Sequence, residues 1–503
     1  MRILKRLCYT LLALLALIVL TPLAVIQFGS AGMATTSKVV LNMVLGYGGE
    51  APDASDIQQQ LDVAEGFGVS LYASDLGKIR FLHSTDAGDL LVSRPRSGDI
   101  VLLERDRNGD GLPDAQRVLL SGLTRPHGLD IAAGWLYIAE SNGVGKIAFD
   151  SAQGQTNGSY QRIVDDLDDK GNHWTKTLRA GDDGWLYLSG GSSCNVCEEE
   201  DPTRATIMRF RMDGSEFGVY ATGLRNSVGL DWAPWNNALY ATDNGRDLLG
   251  DNFPPCELNR IEKGGFYGWP YVNASTPDPD FGGKNAAATA KNIPPSHEFR
   301  AHNAPLGLRF LRHSTVGGFE RTALVALHGS WNRSEPDGYK VVSLHWQDDG
   351  TIVEQDFLSG FLQGDRLIGR PVDIAEANDG SLYISDDYSG SIYRVVAGKT
   401  AVSSRRLELP QQPQGSSKSD PMLGAYSPEQ RDHLRRRGEQ LFNDYNCSGC
   451  HRGAALSGLV ERYELNELAS FFSAPTPPMP AFPLSAEDRE ALAVYLLLRP
   501  NTD

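Results

Sequence analysis

Two cysteines, Cys447 and Cys450, stand three positions apart, and His451 follows at once. Thiols at that spacing can each add to a vinyl group of one porphyrin, and the next imidazole then reaches the iron from one face. C-x-x-C-H is the attachment pattern of a c-type haem. Met479, set among Pro477, Pro478 and Pro480, offers a thioether to the opposite face, and a His/Met pair suits an electron-transfer haem of raised potential. The plainer readings are a disulfide or half of a zinc site for the cysteines, and a core position for Met479. The adjoining histidine argues against the first, and a stiff Pro-rich turn is a poor place for a core residue.

A second set of polar residues is spread along the chain: His127 in RPHGL, His173 in GNHW, Arg225 and Asn226 after a Gly-Leu turn, Trp331, Asn332 and Arg333 in HGSWNR, and Arg370 before Pro371. A lone histidine is more often a structural hydrogen-bonder than a catalyst. Recurrence at comparable loop positions is what a single shared cleft requires. A neutral imidazole can take the proton of a hydroxyl group near pH 7, which nominates His173. Arg225, Arg333 and Arg370 suit a ligand carrying several carboxylates.

Asp106, Asn108, Asp110 and Asp114 put oxygens at positions 1, 3, 5 and 9 of a loop with Gly111 at position 6, a calcium-loop spacing. Arg117 stands where the bidentate Glu belongs, so a structural calcium site is set against a solvated Asx turn. Cys194 and Cys197 have no following histidine. In an oxidising compartment a local disulfide is preferred for them over a metal pair, and Cys256 has no evident partner.

These residues need elements to hold them. From residue 66 to 396 a pattern recurs: a Gly/Asp/Asn turn, a Leu-Tyr-type strand, a loop, and a second apolar strand. Its six copies lie at 86–103, 133–150, 182–191 with 206–214, 235–244 with 257–264, 321–346, and 378–395. A spacing of roughly 50 residues is the period range of propeller blades, and strands so short must stack to bury a face. The expected fold is mainly β, a six-bladed β-propeller over 60–400, with a strand at 69–72 completing the last blade. A pair of β-sandwiches is the weaker alternative.

Residues 401–426 turn to Ser, Gln, Pro and charge and read as a linker. A small all-α cytochrome c domain is expected over 427–503. Its first helix opens at Ser427-Pro428 with Gln430 at N3, an apolar-periodic stretch follows at 459–472, and the last helix opens at Ser485. A covalent haem is assembled outside the cytoplasm, and Arg2, Lys5 and Arg6 precede an uncharged apolar run at 7–28. That run is about long enough to span a bilayer and carries its positive flank inside. Residues 1–34 are therefore read as an anchor helix in the inner membrane, in preference to a signal peptide cleaved after Ala34. The net charge of −16 argues against nucleic acid as a partner.

The segments NHWTKTLRAGDDGWLYLSGGS, GLRNSVGLDW, ELNRIEKGGFYGWP, HGSWNR and GRPVDIAEANDG together resemble the soluble PQQ-dependent sugar dehydrogenases of the six-bladed propeller type, including the sorbosone dehydrogenase-like group. The resemblance covers most of 66–396. It implies that His173 is the general base, that His127, Arg225 and Asn226 face the quinone, and that Arg370 pairs with a quinone carboxylate. It also implies that the carbonyls of Gly245 and Arg246 hold the Ca²⁺ that binds PQQ. Trp331, Asn332 and Arg333 stand where the family has a lysine contact, and 247–255 is a longer insertion. The implied activity is oxidation of a sugar, sugar aldehyde or alcohol in the periplasm, with electrons passing through haem c to a downstream cytochrome or other respiratory acceptor. A calcium-dependent lactonase-like hydrolase and a non-enzymatic redox sensor are the competing readings, since fold alone decides none of them.

Overall fold

The computed structural model describes residues 48–364, 366–398, 426–445, 447, 465–472, 482 and 484–498. The expected anchor at 1–34, the linker as far as residue 425, and Cys450, His451 and Met479 lie outside the described residues. No helix among those described is long and apolar enough to cross a membrane. The chain divides into two compact units, 1–409 and 410–503.

The first unit is a propeller of six antiparallel sheets. Blade 1 comprises Leu82–Ser84, Leu90–Arg94, Asp99–Leu103 and Gln116–Leu120. Blade 2 comprises Leu129–Ala132, Trp135–Glu140, Gly143–Asp150 and Gln155–Val164. Blade 3 comprises Leu178–Ala180, Trp185–Gly190, Thr206–Arg211 and Gly218–Thr222. Blade 4 comprises Ser227–Ala233, Ala238–Asp243, Cys256–Arg260 and His297–Phe299. Blade 5 comprises Pro305–Phe310, Thr322–Leu327, Lys340–Trp346 and Ile352–Ser359. Blade 6 comprises Pro371–Glu376, Leu382–Asp386 and Ser391–Ala397, completed by Phe67–Ala73.

The repeat read from sequence captured the second and third strands of each blade. The closing strand is present, with Val69 opposite Val395. A second N-terminal strand, Asp62–Val63, extends blade 5, so the same short segment straps two adjacent blades.

The innermost strands neighbour one another in order round the ring and back to blade 1. Each carries an ionisable residue at an equivalent place: His83, Asp130, Arg179, Asp231, Arg309 and Asp373. From Asp130 to Asp373 the signs alternate, and each of these side chains reaches the next blade. His83 Nδ1 lies 3.4 Å from Asp130 Oδ1. Asp130 accepts from Ala180 N at 2.8 Å, Asp231 from Phe310 N at 2.7 Å and Asp373 from Leu82 N at 2.9 Å. Arg179 donates to Leu230 O at 3.0 Å and Arg309 to Ile374 O at 3.3 Å. Buried polar groups are costly unless paired, and here the pairing itself joins blade to blade. Apolar clusters between blades, such as Phe81, Leu91, Leu102, Leu129 and Ile138, fill the space further out.

Among its described residues the second unit contains three helices, Pro428–Asp444, Leu465–Phe471 and Ala486–Leu498. The first begins with the reciprocal cap its sequence predicts. Gln430 N donates to Ser427 Oγ at 3.2 Å, and Ser427 N donates to Gln430 Oε1 at 2.9 Å. Ser485 caps the last helix through Asp488 N at 3.0 Å. A Cβ on Gly438 would fall 2.1 Å from Ala491 O, so a glycine is required where the first and last helices cross. Leu441, Phe442, Leu465, Leu468, Leu492 and Val494 form the core, and half-buried Cys447 packs against it.

Candidate active site

Consecutive strands of a blade run antiparallel. The turn from second to third strand and the connection from each outer strand to the next inner strand therefore open on one face of the propeller. Every residue nominated for the cleft falls on such a segment: His127, His173, Arg225, Asn226 and Arg370 just before inner strands, and Gly245, Arg246, Trp331, Asn332 and Arg333 between second and third strands. The channel mouth on that face is the candidate site.

Buried carboxylates set the arginines in place. Asp243 accepts from the backbone N–H of Arg225 at 2.9 Å and of Asn226 at 2.6 Å. Asp386 does the same for Arg370 N at 2.8 Å. Burial pushes Asp243 up to about 7 and Asp386 up to about 6, against the pull of those amides. Directly across the sheet from Asp243 stands buried Glu257, which burial and the Asp243 carboxyl likewise hold above the ordinary range.

His173 sits at φ 51°. Its Nδ1 lies 3.0 Å from Ser192 O and 2.9 Å from Ser192 Oγ. Ser192 Oγ spends its own proton on Cys194 O at 2.8 Å, so both Ser192 atoms act as acceptors. Nδ1 must carry the hydrogen, and Nε2 presents a bare lone pair. Burial, and then the Arg225 guanidinium, lower its pKa to about 3, which keeps the ring neutral. Gly191 permits the approach: a Cβ there would lie 2.6 Å from His173 Cβ and 2.7 Å from Asn226 Oδ1.

His127 has the same tautomer. Its Nδ1 faces Lys176 O at 3.2 Å, and its buried Nε2 has no partner. Burial and the Arg80 guanidinium lower its pKa to about 3. On the far side of the mouth, Arg370 donates to His328 O at 3.1 Å and Gly329 O at 2.9 Å, and its guanidinium stands 5.7 Å from the Tyr339 ring centre. His328 Nε2 is 2.9 Å from Asp387 Oδ1, and Arg80 NH1 is 2.8 Å from Asp387 Oδ2. Loss of water would raise the Asp387 carboxyl, but the His328 imidazole and Arg80 hold it well below the usual carboxylate range.

Two expectations are corrected. Arg225 does not offer its fork to a ligand. It donates to Asn195 O at 2.9 Å, Asn195 Oδ1 at 2.8 Å, Asp247 Oδ2 at 2.9 Å and Asn244 O at 3.2 Å. Arg333 is likewise turned into its own loops, donating to Glu335 O at 3.1 Å, Ala301 O at 3.2 Å and Asp251 O. Both are buried, and a buried guanidinium recruits the nearest carbonyls. The Arg246 side chain points to Asp278 and Asp280, which leaves only its carbonyl for a cation. The carbonyls of Gly245 and Arg246 accept no hydrogen bond among the described residues. Asn332 bridges to Asp247 Oδ1 at 3.3 Å with its own Oδ1 unpartnered, and Trp331 beside it is 36% exposed.

The 106–114 loop is occupied by its own amides. Asp106 accepts from Gly109 N and Gly111 N, each at 2.7 Å, Asn108 accepts from Asp110 N at 2.8 Å, and Asp114 from Asn108 Nδ2 at 3.1 Å. Its carboxylates do not converge. Among the described residues the one group of three ligand-type atoms within 4.8 Å is Cys194, Cys197 and Glu199. Cys194 and Cys197 are joined in a disulfide, as their spacing predicts. Cys256 forms none. It is buried, accepts from Gly245 N at 3.5 Å, and burial pushes its thiol up to about 11.

Sequence reasoning missed Ser192, Asn195, Asp247, His302 and Lys176. Lys176 is buried and its pKa is lowered to about 7 by burial and Arg204. His302 pins the 244–255 loop through Gly250 O at 2.8 Å and Phe253 O at 3.1 Å. The signal for these residues was their place beside the nominated histidines and arginines, in the segments NHWTK, SGGSSCN, NGRD and HNA.

The family profile described as TrAA12-like matches residues 61–260 and 272–398. The chain is 26% identical over 412 residues to the pyrroloquinoline quinone-dependent pyranose dehydrogenase of Coprinopsis cinerea, covering 68% of this chain and 55% of that protein. It is 25% identical over 321 residues to a pyrroloquinoline quinone-dependent sugar dehydrogenase of Hypocrea jecorina, covering 53% and 73%. An uncharacterized protein of Borreliella burgdorferi is 39% identical over 216 residues, covering 42% and 56%. The chain thus spans little more than half the length of the Borreliella and Coprinopsis relatives. Among solved structures, the calcium structure of the Trichoderma reesei Carbohydrate-Active Enzymes Family AA12 protein superposes with a TM-score of 0.58 at 22% identity, covering 70% of this chain and 99% of that one. The holo PQQ domain of the Coprinopsis cinerea pyranose dehydrogenase gives 0.56 at 22%, covering 67% and 97%. At that identity the likeness speaks for the fold.

Proposed function

The chain belongs to the TrAA12-like family, and from that membership and the geometry of the propeller mouth we propose that it is a PQQ-dependent dehydrogenase oxidising a sugar, sugar aldehyde or related alcohol. The observation that carries the reading is His173, a neutral imidazole whose Nδ1–H is tied to Ser192 and whose Nε2 lone pair is free. The fit to a flat, polar, many-oxygened quinone rests on unpartnered buried atoms of the same mouth, His127 Nε2, Asn226 Oδ1 and Asn332 Oδ1. Buried polar atoms are rarely left so without a ligand or water to meet them.

When bound, the quinone supplies the acceptor for the hydride that leaves the substrate's carbinol carbon. His127, Asn226, Asn332 and the NH1 of Arg370, whose Nε and NH2 are held by His328 O and Gly329 O, would hold it, and the carbonyls of Gly245 and Arg246 would hold a Ca²⁺ supplying Lewis acidity there. His173 Nε2 takes the hydroxyl proton, while Ser192 keeps the ring aimed. Arg225, whose fork is fixed by Asn195 and Asp247, disfavours the imidazolium, so the proton is passed on rather than stored.

The proposal extends to the C-terminal unit. Cys447 and Cys450 would attach a haem c, with His451 and Met479 as its iron ligands, and the haem would supply one-electron transfer to a downstream cytochrome or respiratory acceptor. The protein works in the periplasm, anchored by its N-terminal segment.

The test loads the full chain with PQQ and Ca²⁺ and follows the haem spectrum after adding aldoses, sorbosone and alcohols. Some member of the panel should reduce the haem. His173→Asn, a residue that tolerates the left-handed backbone, should bind PQQ yet turn over roughly 10²–10⁴-fold more slowly. A loaded wild type that no sugar reduces sinks the dehydrogenase reading. Fast haem reduction in the variant removes His173 as base and moves the role to His127.

A further inference from the structure

The disulfide between Cys194 and Cys197 closes a ring of only four residues. So short a loop adds less to global stability through chain entropy than a long one, which directs attention to what the ring holds. Inside it lies Asn195. The oxygens of this residue take two donors of Arg225, Nε at 2.9 Å and NH2 at 2.8 Å. Its carboxamide also pairs with the backbone of the 244–255 loop in both directions: Asp247 N donates to Oδ1 at 2.9 Å, and Nδ2 donates to Asp247 O at 3.1 Å. At the ring's edge, Cys194 O accepts from Ser192 Oγ at 2.8 Å, and Ser192 is the partner of His173 Nδ1. Ser192 N further donates to Arg225 O at 2.7 Å. Three site elements from three different loops therefore meet on one constrained tetrapeptide.

We infer that the Cys194–Cys197 ring is a positioning device for the mouth: through Asn195 it fixes Arg225 and the 244–255 loop, through Ser192 it fixes His173, and reduction of this one bond loosens all three together. The inference rests on the reading of the mouth as the quinone site. Both cysteines are half-buried, so a small thiol reagent reaches them. In the switching step a dithiol supplies two electrons and two protons. The S–S bond breaks, Cys194 and Cys197 become thiols, and the dithiol closes to its own cyclic disulfide. The freed backbone around Asn195 then samples many conformations in place of one, and the carboxamide that bridged Arg225 and Asp247 is no longer held between them.

Asn195 and the disulfide are positioning residues, and the experiment reads position directly. Hydrogen exchange is followed in the full chain before and after mild dithiol treatment, with the freed thiols counted by maleimide mass shift. Equilibrium dialysis gives PQQ affinity on the same samples. Two variants accompany it: Asn195→Ala, which keeps the disulfide, and Cys194→Ser with Cys197→Ser, which needs no reductant. The expected result is faster exchange at the amides of Ser192 and Asp247 in all three altered forms. PQQ affinity should fall roughly tenfold, the scale of one charged hydrogen bond. Thiols freed with the Ser192 and Asp247 amides still protected and PQQ affinity unchanged overturns the inference. So does an Asn195→Ala chain whose Asp247 amide exchanges as in wild type. If the oxidised wild type binds no PQQ, the quinone reading fails by itself, while the exchange data still decide whether the ring is a clamp.

Discussion

Two circles of polar residues surround the same channel and, His83 Nδ1 apart, treat their polar atoms in opposite ways. In the ring of inner strands, Asp130, Asp231 and Asp373 each accept from a backbone N–H of the following blade, with Arg179 and Arg309 set between them. At the mouth, a few residues along the chain, His127 Nε2, Asn226 Oδ1, Asn303 Oδ1 and Asn332 Oδ1 are left without partners. The contrast separates polar groups that build the fold from polar groups kept open for a ligand. Burial alone would not make that distinction, since Asp231 and His127 are both almost wholly buried.

The largest effect should come from breaking the ring. Asp231 takes Arg312 on both oxygens at 2.8 and 3.0 Å and stands 3.9 Å from Arg179. Burial would raise its pKa, but Arg309, Arg312 and Arg179 keep it lowered. Asp231→Ala leaves three guanidinium groups without this counter-charge and strands Phe310 N. Removal of one partner from a buried pair costs about 3–5 kcal/mol, so urea unfolding should show a loss of that order. A loss below about 1 kcal/mol would mean that the ring is ornament and that the blades are held by their apolar clusters.

Much of this architecture is legible in the sequence, and the limit falls at a definable place. The second and third strands of each blade announce themselves through a Gly/Asp turn beside a Leu-Tyr alternation, and six such repeats suffice for the fold. The inner strands do not. Leu82–Ser84 and Leu178–Ala180 are three residues long, too short for a period, and a charged residue within them reads as solvent-facing until the neighbouring blade is in place. His173 and Arg370 were nominated because their loops resemble a family. Asn195 was not found, because its role lies in bonds to Arg225 and Asp247, 30 and 52 residues away. The fate of Arg225 shows the converse error: a guanidinium in a cleft was read as a ligand donor when its neighbours had already taken Nε, NH1 and NH2.

The ring also contains a titrating member. Burial lowers His83 to about 4, with Asp130 opposing and Arg179 and Arg309 reinforcing the shift. Its unfolded value is about 6.5. Between those values the unfolded chain binds the proton and the native chain does not, so this contribution is present above pH 6.5 and lost as pH falls toward 4. The stability lost at pH 5 is about 2 kcal/mol from this residue. His127, His173 and His328, lowered to about 3, 3 and 4, act in the same direction. Asp243 and Asp386, raised to about 7 and about 6, act against them. Comparison of wild type with His83→Asn isolates the ring's share: the variant should lose about 2 kcal/mol less than wild type between pH 7 and pH 5 in urea titrations. Parallel curves for the two proteins would mean that His83 titrates normally and that the ring is open to water at blade 1.

The smallest change in stability should come from the mouth, where the comparison is most exposed to failure. The Asn226 side chain makes no hydrogen bond among the described residues, and its Oδ1 is buried without a partner. Its backbone N–H, by contrast, is held by Asp243 at 2.6 Å, and that bond survives replacement of the side chain. Asn226→Ala therefore removes an unsatisfied polar group and no contact that the fold uses. Unfolding free energy should stay within about 0.5 kcal/mol of wild type, with any shift toward greater stability, since leaving a buried acceptor unmet is itself a cost. PQQ affinity should nonetheless fall, by roughly tenfold for one lost hydrogen bond to the ligand. Stability and binding are thus predicted to separate at Asn226. At Asp231 stability is predicted to fall although that side chain lies on the inner strand and touches no mouth residue. If Asn226→Ala destabilises the chain as Asp231→Ala does, the open atoms of the mouth are structural after all. If it leaves both stability and PQQ affinity untouched, the quinone lies elsewhere on the mouth, and Asn332, whose Oδ1 is also unpartnered, becomes the residue to replace.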